Sequence, residues 1–183
     1  MPITDTQELF VHELCEVYDA EHRFIEGQQE MVENATDENL RSAVQEHLEQ
    51  TREHASNVER VFANLGVEAQ RETNEVARGL VSEAQEGIQE AQSAALRDCA
   101  IVAAVIKVEH FEMGSYRSLV TAAHLMGRSE AEQLLRRNMD QEERTAKLAE
   151  STSEQLLRKA MKEEGQEPEE GIVEKAKDTL TGQ

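Results

Sequence analysis

Two glutamates sit where a helix should be apolar. The stretch Val105–Tyr116, VIKVEHFEMGSY, carries Glu109 and Glu112 three residues apart. At about 100° per residue, Ile101, Val102, Val105, Glu109, Glu112, Tyr116, Leu119, Val120 and Ala123 fall on one stripe. A carboxylate buried without a partner is costly, so it either keeps a proton or finds a cation. Folds open to this chain are those that supply the other half of a cation site at the same depth.

The 183 residues suit one domain with a proper core. Aromatics make up 3%, Trp is absent, and proline occurs twice, at Pro2 and Pro168. Ala, Glu, Leu, Gln and Arg dominate, the composition of long helices. No apolar run approaches the ~18 residues that span a bilayer, and the polar start MPITDTQELF reads as a helix N-terminus rather than a signal peptide. A cytoplasmic protein is therefore expected. Cys15 and Cys99 lack the spacing of a metal site and read as small buried residues. The formal charge of −19, from 38 acidic and 19 basic residues, argues against nucleic acid and against anionic membrane surfaces. Six of the basic residues are Lys and 13 are Arg. That surface fits a salt-adapted source and an ordinary acidic bacterial protein equally well.

Four long amphipathic segments emerge. The first helix is capped by Thr4 or Asp5 and carries Phe10, Leu14, Val17, Glu21, Phe24 and Met31 on one stripe, with Glu21 at its centre. Asn34–Asp37 breaks it. A second helix over Glu38–Leu65 ends before Gly66 and has the stripe Leu40, Val44, Leu48, Thr51, Ala55, Val58 and Phe62, with His47, Gln50 and His54 along one flank. Residues 66–93 are too long for a tight hairpin and suit a crossover. They include a short helix over Glu72–Glu90 that uses Val76, Leu80, Val81 and either Ala84 or Ile88. A third long helix spans Ala91–Met126 and ends at Gly127. Ser129, with Glu132 three residues on, forms a capping box for the fourth, which runs to about Ala160 with Asn138 and Glu142 on its apolar side. Lys162 onward is read as a mobile acidic tail with one short helix around Ile172–Leu180.

Two hairpins and one long crossover make an all-α, ferritin-like four-helix bundle over residues 1–160, followed by a tail over 161–183. Depth can be checked by arithmetic. The hairpins centre near residues 35 and 127. Glu21 lies 14 residues before the first turn and Gln50 lies 15 after it; Glu112 and Glu142 each lie 15 from the second. At 1.5 Å rise per residue, all four stand roughly 21–23 Å from their turns, and so at a common level. Carboxylate-bridged two-metal sites are built in this way, from Glu residues on facing helices. Glu21, Glu109, Glu112 and Glu142 supply four negative charges, enough for two divalent cations, Fe or Mn. His54, and His47 beside it, offer imidazole nitrogen. Such a pair of ions is suited to O₂ or peroxide chemistry. Against this, any one buried Glu can snorkel or pair with an Arg, and the set can be structural or vestigial in a helical stress protein that acts through partners.

The segments ELFVHELCEVYDAEHRF, HLEQTREHASNVERVF, GLVSEAQ, KVEHFEMGSY and MDQEER, in this order over about residues 6–157, resemble the YciE/YciF-type ferritin-like proteins, small bundles linked to stress responses. The resemblance implies a homodimer with a two-metal site of rubrerythrin-like layout. Glu21 would be the first-helix ligand, Gln50 and His54 would occupy the second-helix positions, Glu109 and Glu112 would form the pair on the third, and Glu142 would be the ligand on the fourth. Related sequences often carry Glu at the position of Gln50 and an acid at that of Ala146. Those two departures put occupancy and redox use of the site in question.

Overall fold

The computed structural model describes residues 3–167. Residues 168–183, with most of the expected tail and the helix expected over Ile172–Leu180, lie outside the described residues. Five helices follow in order: α1 Thr6–Asn34, α2 Glu38–Leu65, α3 Glu75–Glu90, α4 Ala94–Leu125 and α5 Ser129–Glu163. Asp5 caps α1 by accepting from the Glu8 N–H, and Asp37 caps α2 by accepting from Asn39 and Leu40. Gly66 ends α2 with φ 73, a left-handed conformation that disfavours side chains with a Cβ.

Two local expectations fail. Ser129 is the first helical residue of α5 rather than its cap, and no side chain caps that end. Glu132 is drawn instead to His124 (3.0 Å) and Arg136 (2.9 Å). In α3 the buried face is Ala77, Ala84 and Ile88, while Val76 is exposed. Asn74 sets that phase: its Oδ1 accepts from Ala77 N at 2.9 Å, and its own N–H is tied to Asp19.

α1–α2 and α4–α5 form the two antiparallel hairpins. Around the bundle the neighbours run α1, α2, α5, α4 and back to α1, with α3 laid along α1 and α4. The ends are fixed by Asp98 near the start of α4, whose carboxylate accepts from Thr36 N (2.7 Å), Thr36 Oγ1 (2.6 Å) and Asp37 N (3.0 Å) in the first hairpin turn. Lys159, late in α5, reaches Asp37 at 3.2 Å. So α4 starts, and α5 ends, at the first hairpin, and α3 carries the chain back along the bundle to make that possible.

Two apolar layers result. One, near the second hairpin, is built on Phe10, Leu14, Val58, Phe62, Leu119 and Leu135. The other, near the first, uses Met31, Leu40, Val44, Ile101, Val102 and Leu156. Each such side chain contributes about 1.5–3 kcal/mol on burial. Between the layers lies a polar level.

Candidate metal centre

Every helix of the bundle proper sends an ionisable side chain to this level. Glu21 comes from α1 and Glu142 from α5. Glu109 and Glu112 lie one turn apart on α4, and His47 and His54 lie two turns apart on α2. None is more than 3% exposed. The two histidines are more deeply buried than a flanking strip requires, because α5 packs against that side of α2.

The six form two groups that share Glu142: His47, Glu109, Glu112 and Glu142 in one, Glu21, His54 and Glu142 in the other. Within each group the ligand atoms lie within 4.8 Å of one another. His47 Nε2 stands 2.8 Å from Glu109 Oε1 and 3.9 Å from Glu142 Oε2. His54 Nδ1 stands 2.7 Å from Glu142 Oε1 and 3.9 Å from Glu21 Oε2. Glu142 therefore presents one oxygen to each imidazole. Among the described residues, eleven buried side-chain polar atoms have no hydrogen-bond partner, and ten belong to these six residues. Native cores satisfy nearly all such atoms. A set of acceptors this concentrated, converging on itself, fits a divalent cation, and the mixed carboxylate–imidazole chemistry fits one of intermediate hardness.

Electrostatics agree. Burial, more than any neighbour, pushes Glu21, Glu109 and Glu142 up to about 7. Glu112, buried and facing the other three acids, stands well above its ordinary value. Burial holds His47 below its usual range, which favours the neutral imidazole that can donate a lone pair. Burial also opposes charge on His54, but the Glu142 carboxylate 2.7 Å away and the Glu21 charge win and raise it to about 9. Without a cation, then, this level stores protons.

A supporting layer surrounds the acids and histidines. Gln141 Oε1 lies 2.8 Å from His54 Nε2, so Nε2 donates and Nδ1 is turned to the carboxylates. Tyr116, fully buried, donates to Glu21 Oε1 and accepts from Asn138 Nδ2 at 3.0 Å. Asn138 is in turn held by Asn57 at 2.8 Å. Tyr116 is thus a hydrogen-bonding phenol as well as a packing residue. Gln141 and Asn57 do not stand out in the sequence; Gln141 is one residue from Glu142, and only its distance to His54 reveals it. Gln50 is half-buried and lines a cavity beside His47. Ala146 is buried. The eleventh unpartnered atom is Gln28 Oε1, two turns beyond Glu21 and on a small void bordered by Glu109. His12 and His22 are partly exposed, and His110 and His124 are exposed, away from this level.

Comparisons with known proteins agree with this architecture. Residues 5–163 match the family described as "Domain of unknown function (DUF892)". Protein YciF of Escherichia coli K12 is 30% identical over 146 residues, 79% of this chain and 88% of that protein. The crystal structure of the E. coli stress protein YciF superposes with a TM-score of 0.82 at 27% identity, over 86% of this chain and 99% of that one. YcfI of Rhodopseudomonas palustris, named as a candidate structural protein, gives a TM-score of 0.79 at 28% identity, over 81% and 94%. A Xanthomonas campestris protein at 21% identity shares the fold, with a TM-score of 0.71 over 88% and 99%. Among the described residues no helix is long and apolar enough to cross a membrane. The chain belongs to the DUF892 family of YciF-type helical proteins.

Proposed function

We propose that this protein is a non-haem two-metal carboxylate protein of the stress-related YciF type, binding iron or manganese and handling O₂ or peroxide in the cytoplasm as a homodimer. One observation carries the reading: two ligand groups share Glu142, and ten of their buried polar atoms make no hydrogen bond outside the cluster. Glu109 and Glu112 with His47 would hold one cation, Glu21 with His54 the other, and Glu142 would serve both. Four carboxylates and two neutral imidazoles balance the charge of two divalent ions. Bound iron or manganese supplies one-electron exchange and a Lewis acid in a water-poor core. The chain's own part is to orient and to manage protons. Gln141 fixes the His54 tautomer, Tyr116 and Asn138 hold Glu21, and the cation replaces the protons that the carboxylates and His54 otherwise keep.

Elemental analysis of protein titrated with Fe(II) or Mn(II) and desalted tests this. The expected result is about two ions per chain, falling to background in Glu142→Ala. Wild-type protein that stays metal-free overturns the proposal. Sedimentation checks the dimer. A second reading, a helical structural protein with no chemistry, draws on the proton storage itself. Carboxyls raised to about 7 can remain buried with no cation at all.

A further inference from the structure

A cavity of about 290 Å³ opens between α2 and α5 and ends on His47. This volume is at the bottom of the range for small-molecule sites, about 300–1,000 Å³, so it suits a compact ligand. It runs from Gln50 to Leu40 on α2, which is about 15 Å at helical rise. Its two ends differ in character. At the level of the acids and histidines it is walled by His47, Gln50, Gln141 and Arg144; toward the first hairpin it is lined by Leu40, Val44, Val102 and Ala149. His47 is 3% exposed; its Nε2 faces Glu109 at 2.8 Å, and its Nδ1 makes no hydrogen bond. Arg144 donates its Nε to Asp140 O at 2.8 Å and enters no ion pair among the described residues, although the chain carries twice as many acids as bases. A guanidinium that meets no carboxylate among the described residues offers its fork of donors to one from a ligand.

We propose that this cavity binds a short-chain alkyl monocarboxylate, a proposal that deepens the two-metal reading by giving its centre an organic ligand. The carboxylate sits at the polar end, on Arg144 with Gln50 beside it, next to His47. The alkyl chain lies along Leu40, Val44, Val102 and Ala149. Glu46, exposed on the rim, selects against a second negative charge.

Hexanoate is the probe, titrated calorimetrically into the full chain both metal-loaded and metal-free, with metal content measured on the same samples. Saturable binding near one per chain is expected in both forms. Arg144→Ala, a change at an exposed position, should weaken it at least about tenfold, the worth of a charge-assisted hydrogen bond. Ala149→Phe should abolish it by filling the floor, and neither change should alter metal content. Absence of hexanoate binding overturns the proposal, as does equal binding of hexylamine or of hexanol. Full affinity in a folded Ala149→Phe protein places the ligand elsewhere and overturns it too. A chain that binds hexanoate but takes up no metal sinks the two-metal reading and leaves this cavity assignment standing.

Discussion

This core holds two kinds of buried acid, equally dry and oppositely treated. Asp19 and Asp98 are 3% and 1% exposed. Both are saturated with donors. Asp98 takes three hydrogen bonds from the first hairpin turn. Asp19 takes Arg23 at 2.5 Å, Arg71 at 2.9 and 3.0 Å, and Asn74 N at 2.9 Å. Burial raises Asp19, yet these donors together hold it below its ordinary value. Glu21, Glu109, Glu112 and Glu142, no less buried, meet mostly each other and two imidazoles, and rise. Burial alone therefore does not mark a functional acid. What separates the two sets is whether the fold brought donors or more acceptors, and only the second arrangement leaves work for a cation.

The largest expected effects break that comparison from each side. Glu142→Ala should eliminate metal uptake, read by elemental analysis, because both ligand groups lose their shared member. Asp98→Ala should leave metal stoichiometry intact and cost about 3 kcal/mol of stability in urea, since three hydrogen bonds and the turn-to-α4 tie vanish together. If Asp98→Ala lost metal as readily as Glu142→Ala, the division between structural and ligating acids would be wrong.

The sequence shows one set far better than the other. Glu21, Glu109, Glu112 and Glu142 violate a helical period that is otherwise apolar, and equal distances from two turns put them at one level. Both signals are local, and the structure brings all four together with His47 and His54. Asp19 and Asp98 are invisible by such means because, Arg23 apart, their partners are 52 to 62 residues away and meet them only when the crossover and the hairpin turn are in place. The same reason hid the exposure of Val76 in α3: Ala84 and Ile88 are buried and Leu80 and Val81 packed as expected, while the bond from Asn74 to Asp19 turns Ala77 rather than Val76 inward. The failed capping box at Ser129 is a competition among surface groups, with His124 and Arg136 both available to Glu132. Hairpin ends were legible because Asp37 and Gly66 act through their own backbone neighbours.

A smaller effect reverses sign between the sets. Glu112→Leu should stabilise the metal-free protein by about 1–3 kcal/mol, since a buried carboxyl with no partner is replaced by an apolar group of similar volume. Asp98→Leu should destabilise it. Denaturant melts of the two metal-free variants decide the matter. A Glu112→Leu protein less stable than its parent would mean that the carboxyl has a structural partner after all.

The most modest effect is the dependence of metal-free stability on pH, and here too the sets oppose each other. Asp19 has a folded pKa below its unfolded value of about 3.9. Its contribution is complete above that pH and is lost as the pH falls through the folded pKa. The raised carboxyls act the other way. Near pH 4 they are protonated in both states; as the pH climbs from about 4.5 to about 7, the unfolded chain releases these protons and the folded one retains them. Stability falls over that interval by about 1.4 kcal/mol per pH unit for each proton so retained. His54, raised to about 9 in the fold, adds stability that is complete below about 6.5 and disappears as the pH passes 9. Metal-free protein should therefore be most stable near pH 4–5 and weaken steadily toward pH 9. Saturating Mn(II) should flatten the decline from pH 5 to 7, because a cation replaces the protons that the cluster otherwise retains. Melts across this range, with and without metal, measure the difference directly. A metal-free curve that is flat between pH 5 and 7 would show that the four glutamates carry no stored protons in the fold.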